Sequence, residues 1–214
     1  MFNVCPQCGL YSENKRIDPT GPDAICPSCG HRQRFRRLPL FILTGASATG
    51  KTAICRGLVD LLPECVVLES DILWAKEFAD PSQWPRYRNL WLRLCVNIHQ
   101  AGRSVVLCGS ATPDQFEACS ERRYIGAIHY VATVCHEDEL VRRLRDRPSW
   151  RDSADPSTLE TMSCFNHWFW ERAPDDEPPI ALLDTTHSTV EESTRWVATW
   201  IKGRLVGDPM VTAS

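Results

Sequence analysis

The sequence lacks the features that would place it in a membrane, outside the cell or on a polyanion. No apolar run approaches the ~20 residues that a membrane-spanning helix needs. The opening, MFNVCPQCGL, does not have the basic-then-apolar order of a secretory signal. The formal net charge is −3, so no global field draws the chain to nucleic acid or to anionic lipid. What remains is the expectation of a cytoplasmic protein with no membrane partner. Apart from one pair of near-copies, described next, there is no internal repeat. The 214 residues, 43% of them apolar, suffice for one sizeable core and a small appendage.

Cysteine, in contrast, is plentiful, at 11 residues. Four of them form Cys5-Pro-Gln-Cys8-Gly and Cys26-Pro-Ser-Cys29-Gly, with 17 residues between the pairs. That spacing suits a four-cysteine zinc site. Each pair offers two thiolates from one tight turn, and the glycine after it permits a left-handed backbone. Four thiolates close a tetrahedral Zn²⁺ site with no open position, which makes the metal structural. So short a segment cannot build its own core, so metal binding would supply folding energy. It resembles the zinc ribbons, over residues 1–35. The other seven cysteines (Cys55, Cys65, Cys95, Cys108, Cys119, Cys135, Cys164) lie mostly in apolar or helical context and read as buried thiols. After the second knuckle comes HRQRFRR, residues 31–37. It reads as a nucleic-acid grip, as a linker whose arginines lean on the next domain, or as a docking surface.

The most specific signal is GASATGKT: Gly45, Ala46, Ser47, Ala48, Thr49, Gly50, Lys51 and Thr52. It fits G-x-x-x-x-G-K-[ST], which carries meaning only between a strand and a helix. Residues 38–43 read as a buried strand, and 52–62 carry apolar residues at helical spacing. The loop can therefore wrap phosphates with main-chain N–H groups at the positive end of a helix. Lys51 reaches the outer phosphates, and Thr52 offers its hydroxyl to Mg²⁺. Further strands are predicted at 65–69, 104–109, 125–134 and 179–185. Helices are predicted at 83–101, 113–121, 136–147, 156–172 and 189–203. Alternation of this kind predicts a parallel sheet covered by helices.

This layout resembles the small P-loop kinases, such as nucleoside and nucleotide kinases, shikimate and gluconate kinases and the chloramphenicol phosphotransferase. The likeness runs from about residue 38 to 203. It implies an α/β domain over 36–205 with five parallel strands in the order 2-3-1-4-5, followed by a flexible tail, 206–214. It implies ATP and Mg²⁺ as cofactors beside the structural Zn²⁺, and transfer of the γ-phosphoryl group to a hydroxyl or phosphate of a small molecule, with nucleosides and nucleotides among the candidates. An acidic residue facing the acceptor is expected in ESDILW, and an arginine-rich lid in ELVRRLRDRPSWRDS.

Phosphoryl transfer needs positioning and charge cancellation more than covalent chemistry. Lys51 supplies part of this, and Arg147 and Arg151, flanking Pro148 where the helix must end, are the expected lid arginines. Arg142, Arg143 and Arg145 read instead as partners of Glu137, Glu139 or Asp146. Asp71, just past a buried strand, stands where ligands of open α/β sheets bind and is the candidate base. The alternative is a helix cap, and Glu69 is a second choice for the base. The acceptor pocket is expected around Trp74, Phe78, Trp84, Arg86, Tyr87, Arg88 and Trp91, with the arginines suited to an anionic group and the aromatics to a planar one. Part of that set also fits a plain core stripe. Thr186 and His187 are placed near the adenine, and Trp168, Trp170, Trp196 and Trp200 in the packing. Where many P-loop ATPases carry a strand-end aspartate for Mg²⁺, this chain has Cys108, and no guanine-specifying NKxD follows the fourth strand. Both departures favour an ATP-using kinase over a motor or switch. Two other readings stay open: a kinase of nucleic acid that grips the strand with the ribbon, and a non-catalytic ATP-binding adaptor.

Overall fold

A computed structural model describes residues 2–149, 153–173 and 175–206. The expected lid residue Arg151, and residues 207–214 of the expected tail, lie outside the described residues.

Three short strands, β1 (Arg16–Ile17), β2 (Asp23–Ile25) and β3 (Arg32–Arg34), form an antiparallel sheet in chain order. The second knuckle is the turn between β2 and β3. In both knuckles the trailing glycine is left-handed, Gly9 at φ 73° and Gly30 at φ 72°. A Cβ at either would meet nothing within 4 Å, so it is backbone conformation, not space, that calls for glycine.

The second sheet has five parallel strands: β4 (Leu40–Gly45), β5 (Cys65–Glu69), β6 (Ser104–Cys108), β7 (Ile128–Val134) and β8 (Ile180–Asp184). Their order is β5-β6-β4-β7-β8. Counted from the first strand of this sheet alone, that reads 2-3-1-4-5. β4 is buried at every residue, which is why it reads as an unbroken apolar run. Its side chains alternate between two cores. Phe41 and Leu43 face α1 (Lys51–Leu61) and α6 (Val190–Val206). Leu40 and Ile42 face α2 (Trp84–Gln100), α3 (Pro113–Glu117) and α5 (Pro156–Arg172). A third, smaller cluster packs α4 (Glu137–Arg145) against Ala46 of the loop. Among the described residues, no helix is long and apolar enough to cross a membrane.

Several boundaries differ from expectation. The stretch 70–83 folds as three 3-10 turns, Ser70–Leu73, Lys76–Ala79 and Pro81–Gln83. The helix expected over 113–121 ends at Glu117, and Ser120–Tyr124 forms a 3-10 turn instead. The reason is tertiary. The Tyr124 hydroxyl lies 3.0 Å from the carbonyl oxygens of both Glu13 and Lys15, so the turn is held by the ribbon. Trp196, expected in the packing, is 40% exposed, whereas Trp200 packs on Phe41 and His129. Of the scattered cysteines only Cys164 is exposed.

The ribbon is seated firmly on α2 and the turn 120–124. Phe2, Phe35 and Tyr124 form an aromatic triangle with centroids 5.2–6.0 Å apart. Arg93 of α2 bridges Glu13 of the ribbon at 2.7 Å and buried Glu121 at 3.0 Å. Arg36 and Arg37 of the stretch 31–37 are drawn into the same seam, whereas Arg32 pairs within the ribbon. Arg32 pairs with Asp18 and Asp23, Arg36 bonds to Gln100, and Arg37 donates to the Ile125 carbonyl. Phe35 is buried. Arg36 and Arg37 thus lean on the next domain, as the linker reading expects.

Candidate active site

β4 ends at Gly45, and the chain turns through Ala46–Thr49 into α1. Gly45 is paired with Thr133 of β7 and has φ 134°. A Cβ there would run into the Thr133 carbonyl oxygen and stand 2.7 Å from Thr133 Oγ1, so only glycine fits. Ala48, at φ 69°, and Gly50, at φ 98°, are both left-handed. Hydroxyls hold this shape. Thr49 Oγ1 donates to the Ala46 carbonyl at 2.8 Å and meets Thr133 Oγ1 at 2.6 Å. Thr185 Oγ1 donates to the Thr49 carbonyl at 3.0 Å, and Ser110 Oγ to that of Gly45 at 3.0 Å. The sequence showed the loop but not these braces. Nothing but proximity in the sheet brings Thr133, Thr185 and Ser110 to it.

Helix α1 starts at Lys51 with no side-chain cap and no acidic residue in its first turn. Its leading N–H groups and positive dipole end therefore point back toward the loop without a side chain capping them, with Thr52 beside them. Of the loop amides, Ser47 N–H is covered, 3.3 Å from Met162 Sδ of α5. Lys51 Nζ donates to the Gly45 and Ala46 carbonyls at 2.8 and 2.7 Å. Burial pulls its ammonium down to about 8, and Cys108, Arg147, Asp71 and Glu69 act on it after that. Lys51 and these four, all singled out from the sequence, thus share one electrostatic neighbourhood.

Asp71 is exposed, one residue inside the turn Ser70–Leu73, and the cap position of that turn belongs to Glu69. The reading of Asp71 as a helix cap therefore falls away. Its Oδ1 accepts from Ser70 Oγ at 3.4 Å. Ser70 itself is tied down by the Tyr87 hydroxyl, which donates to its carbonyl. Tyr87 sits among Trp74, Phe78 and Trp91 at centroid distances of 4.8–6.4 Å. Trp91 and Phe78 are core residues, whereas Trp74 is 50% exposed and Trp84 40%. Arg86 and Arg88 are two apart on a helix and so point to different sides. Arg86 is exposed. Arg88 is half-buried over the Trp84 ring at 5.7 Å, and burial lowers its guanidinium, with Cys119 and Asp114 as the neighbouring charges.

On the other side of the loop, a cavity of about 310 Å³ opens between Ala48, Thr49, Gly50, Arg143, Thr185 and Ser188. The residues after β8 that line it are Thr185, Ser188, Val190 and Ser193. Thr186 instead accepts from the His136 N–H at 2.9 Å, and exposed His187 faces the His136 ring. Of the ion pairs expected on α4, those of Arg142 to Glu139 and Asp146 and of Arg143 to Glu139 are present, whereas the pairs expected for Arg145 and Glu137 are not found among the described residues. Arg143 has a second task not visible in the sequence, donating to the Thr185 carbonyl at 2.7 Å and so bracing the cavity wall.

Away from this cleft, the sulfurs of Cys5, Cys8, Cys26 and Cys29 all lie within 4.8 Å of one another. Two of the separations, Cys5–Cys29 and Cys8–Cys26, are 3.7 Å. A tetrahedron with Zn–S bonds of about 2.3 Å has edges of about 3.8 Å, so the four thiols fit the metal expected there. Main-chain N–H groups of the knuckle turns pull the Cys26 thiol down to about 6, favouring the thiolate that a metal needs.

No protein-family model matches the chain, and no curated protein matches it. Solved structures do. A sugar kinase from Janibacter sp. HTCC2649 is 18% identical, covers 78% of this chain and 95% of its own, and superposes with a TM-score of 0.59. A gluconokinase from Sinorhizobium meliloti 1021 is 18% identical, with 80% and 99% covered and a TM-score of 0.51. An APS kinase from Mycobacterium tuberculosis, in complex with AMPPNP and APS, is 14% identical, with 78% and 99% covered and a TM-score of 0.50. The chain has the fold of the P-loop kinases.

Proposed function

We propose that this chain is an ATP-dependent kinase that moves the γ-phosphoryl group onto a hydroxyl of a small molecule. The observation that carries this is the setting of Lys51: at the uncapped start of α1, within the field of both Arg147 and Asp71. In this reading Lys51 holds phosphate, Arg147 follows the moving charge and Asp71 takes a proton, and the electrostatic influence of the last two on Lys51 supports it. Structural likeness to kinases of small molecules supports the same reading.

In this reading Gly45–Thr52 cradle the triphosphate and the adenine enters the cavity at Arg143 and Thr185. Thr52 would hold Mg²⁺, whose chemistry is to neutralise phosphate charge. The acceptor oxygen attacks the γ-phosphorus, the bond to the bridging oxygen breaks, and its electron pair leaves on ADP. Asp71 takes the hydroxyl proton. Arg147 and Arg151 close over the phosphates and keep water out. Trp74 and Arg88, with Arg86 at the rim, suit an acceptor with a planar body or an anionic group, a nucleoside or nucleotide among them. The four cysteines hold a structural Zn²⁺ in a ribbon of residues 1–35, ahead of a catalytic domain of 36–205.

An ATP-consumption screen over nucleosides, nucleotides, sugars and hydroxylated acids tests this. The expected result is ADP release with a narrow acceptor set, abolished in Lys51→Ala. Asp71→Asn is expected to keep ATP binding and to lose turnover by about 10²–10⁴. A protein that holds neither ATP nor GTP at millimolar concentration with Mg²⁺ would refute the reading. An Asp71→Asn variant with unchanged behaviour would point to an adaptor.

A further inference from the structure

Lys15 belongs to neither the phosphate loop nor the cysteine knuckles, yet it is 1% exposed. Its ammonium donates to the Phe2 carbonyl and, at 2.7 Å, to Gln33 Oε1, and lies 4.9 Å from the centre of the Phe2 ring. Both acceptors are neutral, and among the described residues no carboxylate pairs with it. A buried ammonium without a counter-charge costs several kcal/mol. In the antiparallel register of β1 and β2, Arg16 pairs with Ile25, which sets Lys15 across from Cys26, and Phe2, whose carbonyl the ammonium holds, is three residues from Cys5. Cys5 and Cys26, one from each knuckle, are the ionisable groups that act on it. Zn²⁺ with four thiolates carries two surplus negative charges.

We propose that Lys15 is the buried counter-cation of the four-thiolate zinc centre, and that through it metal occupancy holds the ribbon against α2. The connection is continuous. Lys15 binds the Phe2 carbonyl, and the Phe2 N–H donates to Asn97 Oδ1 of α2 at 3.3 Å. The Phe2 ring packs on Tyr124, whose hydroxyl reaches back to the Lys15 carbonyl at 3.0 Å. Without the metal the thiols are no longer all held deprotonated, the two surplus negative charges fall away, and with them the reason for the ammonium to stay buried, so the contacts around Phe2 loosen. On the kinase reading above, the same helix carries Arg88 at its other end, so the ribbon is a metal-dependent brace for the acceptor cleft. The proposal rests on the zinc reading of the four cysteines.

The test uses the full chain purified with zinc, beside Lys15→Met and Lys15→Arg. Zinc transfer to a chromogenic chelator is timed, and hydrogen exchange is read over 91–100 and over 51–61. The expected wild type holds one zinc per chain. Lys15→Met is expected to release zinc about tenfold faster or more, with Lys15→Arg close to wild type. Stripping zinc from the wild type is expected to raise exchange over 91–100 and leave 51–61 unchanged. Equal release from Lys15→Met and wild type would overturn the counter-cation role alone. Unchanged exchange over 91–100 after stripping would overturn the coupling, and this arm needs no variant to fold. A chain that binds no zinc removes the zinc reading and this proposal together, leaving the kinase reading to its own screen.

Discussion

Gly45 and Gly50 both have positive φ and bracket the same loop, but replacing them should have different consequences. At Gly45, φ 134°, an added Cβ meets the Thr133 carbonyl oxygen, Thr133 Oγ1 at 2.7 Å and Thr49 Oγ1 at 3.1 Å. None can step aside cheaply: the carbonyl is part of β7, and the two hydroxyls bond to each other. At Gly50, φ 98°, the nearest atom to the new Cβ is Ile54 Cδ1 at 4.0 Å. The strained backbone costs about 1–2 kcal/mol in each case. Overpacking adds about 1–3 kcal/mol at Gly45 only. Gly45→Ala should therefore lose about 2–5 kcal/mol and Gly50→Ala about 1–2, against a total stability of about 5–15 kcal/mol for an ordinary domain. Urea denaturation followed by tryptophan fluorescence, with zinc kept bound, measures both. The denaturant slope must stay constant for the comparison to hold. If Gly45→Ala proved as stable as Gly50→Ala, the close approach of loop and β7 would be wrong, and with it the hydroxyl scaffold described for the loop.

Other consequences can be checked separately. Burial holds Lys51 at about 8, and a bound phosphate would raise it. Nucleotide affinity should be flat below that pH and fall towards tenfold per unit above it, as binding has to restore the proton; calorimetric titration from pH 7 to 9.5 reads this, and a flat profile would contradict it. Arg93→Ala removes the partner of Glu121, which is fully buried and raised by that burial. The loss should be about 3 kcal/mol at pH 8 and smaller at pH 5. The sign follows because a carboxyl raised in the folded state loses stability as pH climbs through its window, and equal losses at the two pH values would count against it. Thiol titration of the native zinc-loaded protein should show one fast group, Cys164, abolished by Cys164→Ser. Burial holds Cys65 and Cys95 near 12 and Cys119 near 11, and rapid labelling of those would show a looser core.

What could be read in advance depended on whether a feature is local in the chain. The phosphate loop, the cysteine knuckles and the parallel strands are local: a glycine pair, a thiol spacing, a run of apolar residues. The ion pairs of α4 were legible for the same reason, being three and four residues apart. The boundary of α3 was not, because Tyr124 is held by carbonyls 109 and 111 residues away. Lys15 left no trace either, since a lone lysine between two knuckles reads as surface until the fold buries it. Arg86 and Arg88 looked equivalent in one dimension and separate only when the helix turns one inward.

The thiol at the end of β6 bears on how the cleft balances charge. In the register of the sheet Cys108 lies beside Glu69, and it neighbours Lys51. Contact with the Cys55 thiol and burial push Cys108 well above its ordinary range, so at neutral pH it is uncharged and offers Lys51 no counter-ion. The carboxylates that act on Lys51, Glu69 and Asp71, lie at and just past the end of β5, where Asp71 is open to solvent. Lys51 and the start of α1 thus leave the loop side of the cleft positive, with a neutral thiol rather than a carboxylate at the end of β6. A carboxylate there would hold Mg²⁺; without one, metal binding should depend on the nucleotide's own oxygens and on Thr52. Mg²⁺ alone should accordingly bind far more weakly than Mg²⁺ presented with ATP. Cys108→Asp should raise the affinity for free Mg²⁺ while weakening ATP binding measured without the metal. A variant that strengthened both would show that the loop side is not the positive surface described.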